Sequence, residues 1–258
     1  MLHVTLLSGE DLAAFPFSEL SDVKALKQRL HEQHGLPPRF RQRLFHEENA
    51  LDDAVTLASV MESQAIHEDT TLSDAVKPDA VMHLQALVLE FSDASHAQRI
   101  ELDDAARCGL LHEVEALLQL PMDPDVVLNE YGHTPLMQAS GNGHVEIVRL
   151  LLEAGAQKDA LDCDGTTALI WAAHDGRDSV VEVLLEAGVQ KDIRENIGWT
   201  ALMCAATNSH ARIVRLLLEA GARRDICSNN GKTALMLAAD ENADAEVVRL
   251  LQPVAETP

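Results

Sequence analysis

The sequence predicts an α+β protein, in which a small domain of strands and one helix precedes an all-α solenoid of repeated helix pairs. Three observations support this prediction. A glycine recurs every 33 residues, at Gly132, Gly165, Gly198 and Gly231, and a Thr-x-Leu motif follows each glycine at the same offset. Before Gln98 this period disappears and patterns typical of strands replace it. A strict period of this length indicates a stack of supersecondary units that bury their apolar faces against one another.

The first domain is expected to span residues 1–95. Residues 1–7 alternate between apolar and polar side chains, which favours a strand, and a Ser-Gly turn signal follows. A helix is predicted over 21–30, with Ser21 as its N-cap. The segments 39–45 and 84–91 supply further candidate strands, and the second of them is a nearly continuous apolar run.

Short motifs in this domain, among them Gly35-Leu-Pro-Pro38, Gln42-Arg-Leu-Phe45 and Leu51-Asp-Asp53, resemble the ubiquitin-like β-grasp fold. The resemblance covers about the first 90 residues, and an acidic insert near 58–80 lengthens the domain. Since no Gly-Gly tail follows, the resemblance implies a built-in module and not a conjugated tag. It also implies an apolar receptor-binding patch, formed here by Leu7, Phe45 and Val88, although each of these residues could equally belong to the core.

The second domain is expected to span residues 96–258. Each block contains a turn with Gly, a Thr suited to cap a helix, an Ala-Ala face and a Leu-rich second helix. The motif Tyr131-Gly-His-Thr-Pro-Leu136 closely resembles the ankyrin repeat. The resemblance implies about five repeats, near 98–128, 129–161, 162–194, 195–227 and 228–258. Apolar packing is expected to replace the family's bracing His, because other residues stand at its position: Met137, Ile170, Met203 and Met236.

The formal net charge of −22 at pH 7 disfavours nucleic acid and anionic membranes as partners. The one basic concentration, formed by Lys24, Lys27, Arg29, Arg39, Arg41 and Arg43, is interpreted as a solvated helix face and strand edge, or as a docking patch for an acidic partner. No membrane span or secretion signal is expected, and the four dispersed cysteines fit free thiols in a reducing compartment. We therefore expect a cytoplasmic or nuclear protein.

One motif suggests chemistry. Asp162-Cys-Asp-Gly-Thr166 matches a string found in phosphotransferases that use the first Asp as nucleophile and the second as acid. Here the string falls on a repeat turn, and the repeat accounts for its Gly and Thr without catalysis. Gly231-Lys-Thr233 lacks the rest of a phosphate-binding loop, and His31 and His34 lack a third metal ligand nearby. We expect no enzyme activity, no cofactor and no metal, with a phosphatase built on Asp162 and Asp164 as the alternative.

By resemblance to ankyrin proteins, a partner is expected to bind along the concave face, at the turn tips and the inner helices. Tyr131 and Trp199 are candidate aromatic anchors, or they pack on a neighbouring turn, whereas Trp171 is expected to pack between repeats. Because carboxylates outnumber Lys232 at these positions, a basic or amphipathic protein segment is the matching partner. The candidate positions are Glu130, Tyr131, His133, Gly141, Asn142, Cys163, Asp164, Thr166, His174, Asp175, Asn196, Ile197, Trp199, Thr207, Asn208, Asn229, Asn230, Lys232, Asp240 and Glu241.

These patterns favour a monomeric, non-catalytic adaptor. Its repeats would hold a client protein, and its ubiquitin-like domain would dock on a second factor, for which the ubiquitin-proteasome system is a candidate source. The alternative within binding proteins is a plain scaffold whose first domain has no ubiquitin-related role.

Overall fold

The computed structural model describes residues 2–6, 10–16, 20–34, 36–37, 39, 42–46, 49–57, 59–60, 82–88, 94–120, 122–241 and 243–252. The chain forms two compact units. The first comprises Met1–Ser92 with Gln119–Pro121, and the second comprises Asp93–Leu118 with Met122–Pro258. Most of the acidic insert predicted near 58–80 lies outside the described residues.

The first unit is built on a five-stranded mixed sheet with the strand order β2-β1-β5-β3-β4. Strands β1 and β5 are parallel, and the other neighbouring pairs are antiparallel. Helix α1 packs on this sheet, because Val23, Leu26 and Leu30 belong to the same buried cluster as strand residues such as Leu44 and Leu84. The elements are β1 (Leu2–Leu6), β2 (Asp11–Phe15), α1 (Val23–His34), β3 (Gln42–His46), β4 (Asn49–Leu51) and β5 (Met82–Val88).

The prediction of Ser21 as the N-cap of α1 is wrong. Asp22 caps this helix, since its Oδ1 accepts a hydrogen bond from the Ala25 N–H at 2.8 Å, while the Ser21 hydroxyl donates to Asp22 Oδ2 at 2.6 Å. Either residue type can cap a helix, but the helix begins at Val23, so Asp22, which also forms an isolated bridge with Thr56, stands at the terminus. The strand expected at 39–45 begins only at Gln42, and the one expected at 84–91 begins at Met82.

Two members of the basic concentration are buried, so neither interpretation of that group as surface applies to them. The Lys27 ammonium lies 2.5 Å from Asp53 Oδ1, and the Arg39 guanidinium lies 2.6 Å from Asp53 Oδ2. Burial lowers the pKa of Lys27 although Asp53 opposes the shift. Burial alone would raise the pKa of Asp53, but the hydrogen bonds and charges of Lys27 and Arg39 outweigh it and hold that pKa below its ordinary value. One carboxylate thus neutralises two interior cations.

The second unit consists of helix pairs in a stack. First helices pack on neighbouring first helices, and second helices on neighbouring second helices. Buried alanines such as Ala139, Ala172 and Ala205 allow the first helices to approach closely, and Leu151, Leu184 and others fill the layer behind them. The pairs are α2 (His96–Cys108) with α3 (Leu111–Leu118), α4 (Pro135–Asn142) with α5 (Val145–Glu153), α6 (Ala168–His174) with α7 (Asp178–Glu186), α8 (Ala201–Thr207) with α9 (Ala211–Glu219), and α10 (Ala234–Asp240) with α11 (Ala245–Leu251).

The recurring Thr is the N-cap of each first helix from α4 onward. In α6, for example, the Thr167 hydroxyl accepts the Ile170 N–H at 3.3 Å, and the same bond recurs at Thr134, Thr200 and Thr233. At the position of the family's His, Met137, Ile170 and Met203 are buried. Met236 is 54% exposed, because no further helix pair follows α11 within the described residues to cover it.

Candidate protein-interaction site

The turns that precede the first helices form a continuous row. The Cys163 N–H donates to the Tyr131 carbonyl at 2.8 Å, the Asn196 N–H to the Asp164 carbonyl at 2.8 Å, and the Asn229 N–H to the Ile197 carbonyl at 3.1 Å. Each turn includes a glycine of the 33-residue series with φ between 73° and 82°, a backbone region that residues with a side chain rarely adopt. Backbone bonds therefore fix the spacing of the tip side chains from one repeat to the next.

Two large apolar side chains project from this row of tips. Tyr131 is 59% exposed and Ile197 is 56% exposed. The Tyr131 ring stacks on the His133 ring with centroids 5.7 Å apart, and the His133 and Trp171 rings form a T-shaped pair with centroids 4.8 Å apart. These three rings make an aromatic strip that leads from the tips toward helix α6.

Behind the tips lies a groove with a volume of about 460 Å³. Trp171 and Trp199 contribute two indole rings to its walls, and the buried side chains of Ile170 and Cys204 lie at its base. Burial raises the pKa of the Cys204 thiol to about 12, so this sulfur stays protonated. Four carboxylates also line the groove, Asp162, Asp164, Asp175 and Glu195, whereas no Lys or Arg of the described residues lines it.

Asp162 organises the wall between the turn and α6. Its Oδ1 accepts hydrogen bonds from the N–H groups of Asp164 at 3.0 Å and Thr166 at 2.8 Å, and its Oδ2 accepts one from Trp171 Nε1 at 3.2 Å. His133 Nε2 lies 3.9 Å from the same Oδ2. Asp162 therefore orients a turn and an indole, and it stands on a repeat turn, not at the end of a strand as phosphotransferase chemistry would require.

Glu195 is a partly buried carboxylate of the groove. Burial raises the pKa of this carboxyl, the charges of Asp164 and Asp162 raise it further, and a hydrogen bond from Thr166 opposes the shift. Asp175 has a neighbour in His174, whose Nδ1 lies 2.7 Å from Asp175 Oδ1. The groove is thus aromatic and electronegative, a combination that suits a cationic group.

The family model described as Ankyrin repeats (3 copies) matches residues 102–195 and 187–256, more than half of the chain. The chain belongs to the ankyrin-repeat family. Ankyrin repeats are typically non-catalytic and bind other proteins, which indicates a protein-interaction function. Among the described residues, none of the helices has both the length and the apolar character required to cross a bilayer.

The ankyrin repeats bring seven of the candidate positions together in the groove: His133, Asp164, Thr166, His174, Asp175, Ile197 and Trp199. Other candidates are exposed elsewhere on the repeats: Glu130, Asn142, Asn208, Asn230, Lys232, Asp240 and Glu241. Lys232 is paired with Asp240, its Nζ lying 2.7 Å from Oδ2. Gly141 is buried beneath Trp171, where an added Cβ would lie 2.9 Å from Trp171 Cε3, so its surface is covered.

Sequence reasoning did not place Trp171, Asp162 or Glu195 in the groove. Trp171 does pack between repeats, over Gly141, as expected, but its half-buried ring also forms a groove wall. A signal was available, since Trp171 is in register with Gln138, Cys204 and Leu237, so the ankyrin pattern does not require an aromatic ring there.

In the first unit, the described residues include only part of the predicted receptor-binding patch. Phe45 lies in β3 and is half-buried. Leu7 lies outside the described residues, as does the side chain of Val88 in β5. No group of three or more His, Cys, Asp or Glu side chains suited to hold a metal ion occurs in the described ranges.

Proposed function

We propose that this protein is a non-catalytic adaptor whose ankyrin repeats hold a client protein through a basic or amphipathic segment. The observation that carries the proposal is the groove, which gathers two indoles and four carboxylates and which, in the part of the chain that the structure describes, no Lys or Arg lines. Aromatic side chains dominate interface energetics, and a negative wall selects a positive partner. The same charge argues against nucleic acid as the ligand.

The repeats that hold the client would be five, near 98–128, 129–161, 162–194, 195–227 and 228–258. Five helix pairs in the described residues support this division. In the last of these repeats, Lys232 and Asp240 form an ion pair with each other. The exposed tip residue Asn230 and the exposed helix-end residue Glu241 would then make the polar contacts at the edge of the interface.

Proximity labelling in cells tests the client-binding proposal. The wild-type chain is compared with a Tyr131→Ala/Trp199→Ala double variant and with Leu110→Ala, which removes an exposed apolar side chain of the repeats outside the groove. We expect the double variant to lose a subset of labelled proteins that the Leu110→Ala variant keeps. Truncating an aromatic anchor costs about 2 kcal/mol or more, so the loss should be severe for a direct client. Identical labelling by the two variants, both folded by thermal melting, would contradict the proposal.

We also propose that the first unit is a ubiquitin-like β-grasp domain, within residues 1–95, that docks a second factor. Its strand order, β2-β1-β5-β3-β4, with β1 parallel to β5 and one helix on the sheet, supports this assignment. In this proposal the factor is a component of the ubiquitin-proteasome system, and Leu7, Phe45 and Val88 form the contact patch. No catalytic role is assigned to the chain.

An amide NMR titration of the full chain with a ubiquitin-receptor domain tests this second proposal. We expect shifts around Phe45 on β3 that are lost in Phe45→Ser, whereas Asp52→Asn, an exposed change in the same unit, should leave them unchanged. If no shifts occur around Phe45, the first domain has no such role and the protein is a plain ankyrin scaffold.

A further inference from the structure

Both tryptophans of the chain line the same groove. Trp171 is on α6, and Trp199 is in the turn that precedes α8. The Trp171 ring is held in place, because its Nε1 donates to Asp162 at 3.2 Å and the ring makes a T-shaped contact with His133, with centroids 4.8 Å apart. A fixed indole offers a preformed face on which a flat ligand group can stack.

Not all of the groove's carboxylates are equally available to a ligand. Asp162 already accepts three N–H donors, and Asp175 is engaged by His174. Asp164 is exposed on its turn, and its charge, together with that of Asp162, contributes to the upward pKa shift of Glu195. Asp164 and Glu195 therefore hold negative charge that an incoming cation would neutralise.

A guanidinium fits these surroundings better than an ammonium does. It is planar, stacks on aromatic faces, is more weakly hydrated and can bind a carboxylate through two parallel hydrogen bonds. A lysine ammonium is a compact, strongly hydrated charge that would lose more hydration between two indoles. The groove is also large enough for a whole side chain, at about 460 Å³.

We infer that the groove between Trp171 and Trp199 is an arginine subsite, in which an arginine side chain of the partner stacks on indole and pairs with Asp164 and Glu195. This inference rests on the proposed client-binding function and specifies its chemistry. Within the basic segment, one arginine then sets the register, and lysine cannot replace it without loss of affinity.

The two tryptophans make the test direct, because every indole signal of the chain comes from this groove. The probe is N-acetyl-arginine amide, titrated into the full chain while tryptophan fluorescence and the two indole Nε1–H NMR signals are recorded. Isolated side chains bind weakly, so a Kd on the order of millimolar is expected. N-acetyl-lysine amide should bind about fivefold more weakly or worse, and the uncharged isostere N-acetyl-citrulline amide should cause no saturable change.

Three variants assign the contacts. Asp164→Asn and Glu195→Gln keep shape and remove charge, and each should weaken the arginine probe about fivefold. Trp199→Leu should weaken it by a similar factor. The matched control is Glu146→Gln, an exposed carboxylate on α5 outside the groove, which should leave the Kd unchanged. Should Trp199→Leu disturb folding, the exposed Asp164→Asn change still decides the outcome.

Equal responses to arginine and citrulline probes, no response at tens of millimolar, or equal weakening by Glu146→Gln would each overturn the inference. These results are distinguishable from failure of the proposed function. If clients are lost in the Tyr131→Ala/Trp199→Ala variant but the arginine probe has no effect, the repeats bind clients by other contacts. If neither experiment gives an effect, the client-binding proposal itself is wrong.

Discussion

Asp53→Asn is expected to destabilise the first unit more than any other single change in charge there. The side chains of Lys27 and Arg39 are only 2% and 1% exposed, and that of Asp53 is 12% exposed. The substitution keeps the volume of Asp53 but removes the carboxylate charge that contacts both interior cations. Removing one partner of a buried ion pair costs about 3–5 kcal/mol. A domain is stable by only about 5–15 kcal/mol, so a substantial part of this stability would be lost.

Hydrogen exchange of β3 and β5, measured by mass spectrometry on the full chain, reports the stability of this unit. In the wild type these paired strands should exchange among the slowest of the unit, and in Asp53→Asn their protection should fall by at least a hundredfold, since 2.7 kcal/mol is about two powers of ten. Asp52→Asn is the matched control, because Asp52 is exposed and its Oδ1 accepts only the Ala54 N–H at 2.9 Å.

Lys27→Met distinguishes the free-energy cost of losing one ion pair from the cost of leaving a buried cation without the Asp53 charge. It removes one interior cation and leaves the contact between Arg39 and Asp53, so it should cost much less than Asp53→Asn. If Asp53→Asn changes protection no more than Asp52→Asn does, Lys27 and Arg39 are solvated in solution and the reasoning from burial is refuted.

Three further predictions concern the ankyrin repeats. Thr200→Ala should lower their stability to urea by about 1 kcal/mol and Thr200→Ser should not, because only the hydroxyl caps α8; tryptophan fluorescence measures both. A thiol reagent should label three cysteines of the folded chain, Cys108, Cys163 and Cys227, while Cys204 should react only after unfolding, and four labels in the native protein by mass spectrometry would contradict this. Burial raises the pKa of Asp125 from 3.8 to about 6, although hydrogen bonds from Gln157 oppose the shift. The protonated carboxyl therefore stabilises the folded state fully below pH 3.8, and this stabilisation is lost as the pH rises through about 6. Between these two pH values the free energy of unfolding should fall less in Asp125→Asn than in the wild type, by about 1–2 kcal/mol after solvent screening. If the free energy of unfolding depends on pH equally in the variant and the wild type, the carboxyl of the folded protein titrates normally.

The sequence alone determined the architecture of the repeats. Turn glycines, capping threonines and buried alanines act locally or between neighbouring copies, so a 33-residue period is enough to predict the helix pairs and the caps at Thr134, Thr167, Thr200 and Thr233. The same period identified the row of tip positions, because residues one period apart lie side by side in the stack.

Only the tertiary structure decided which side chains from different positions of the 33-residue repeat lie next to one another. Trp171 and Trp199 belong to different positions of the period and face one groove because the turn before α8 lies next to α6. Charge alone likewise predicted Lys27 and Arg39 on a surface, whereas the fold places both of them beside Asp53 in the interior. A repeat pattern predicts contacts between equivalent residues of neighbouring repeats. Burial, and contacts between residues at non-equivalent positions, cannot be predicted from it because they depend on how the whole chain packs.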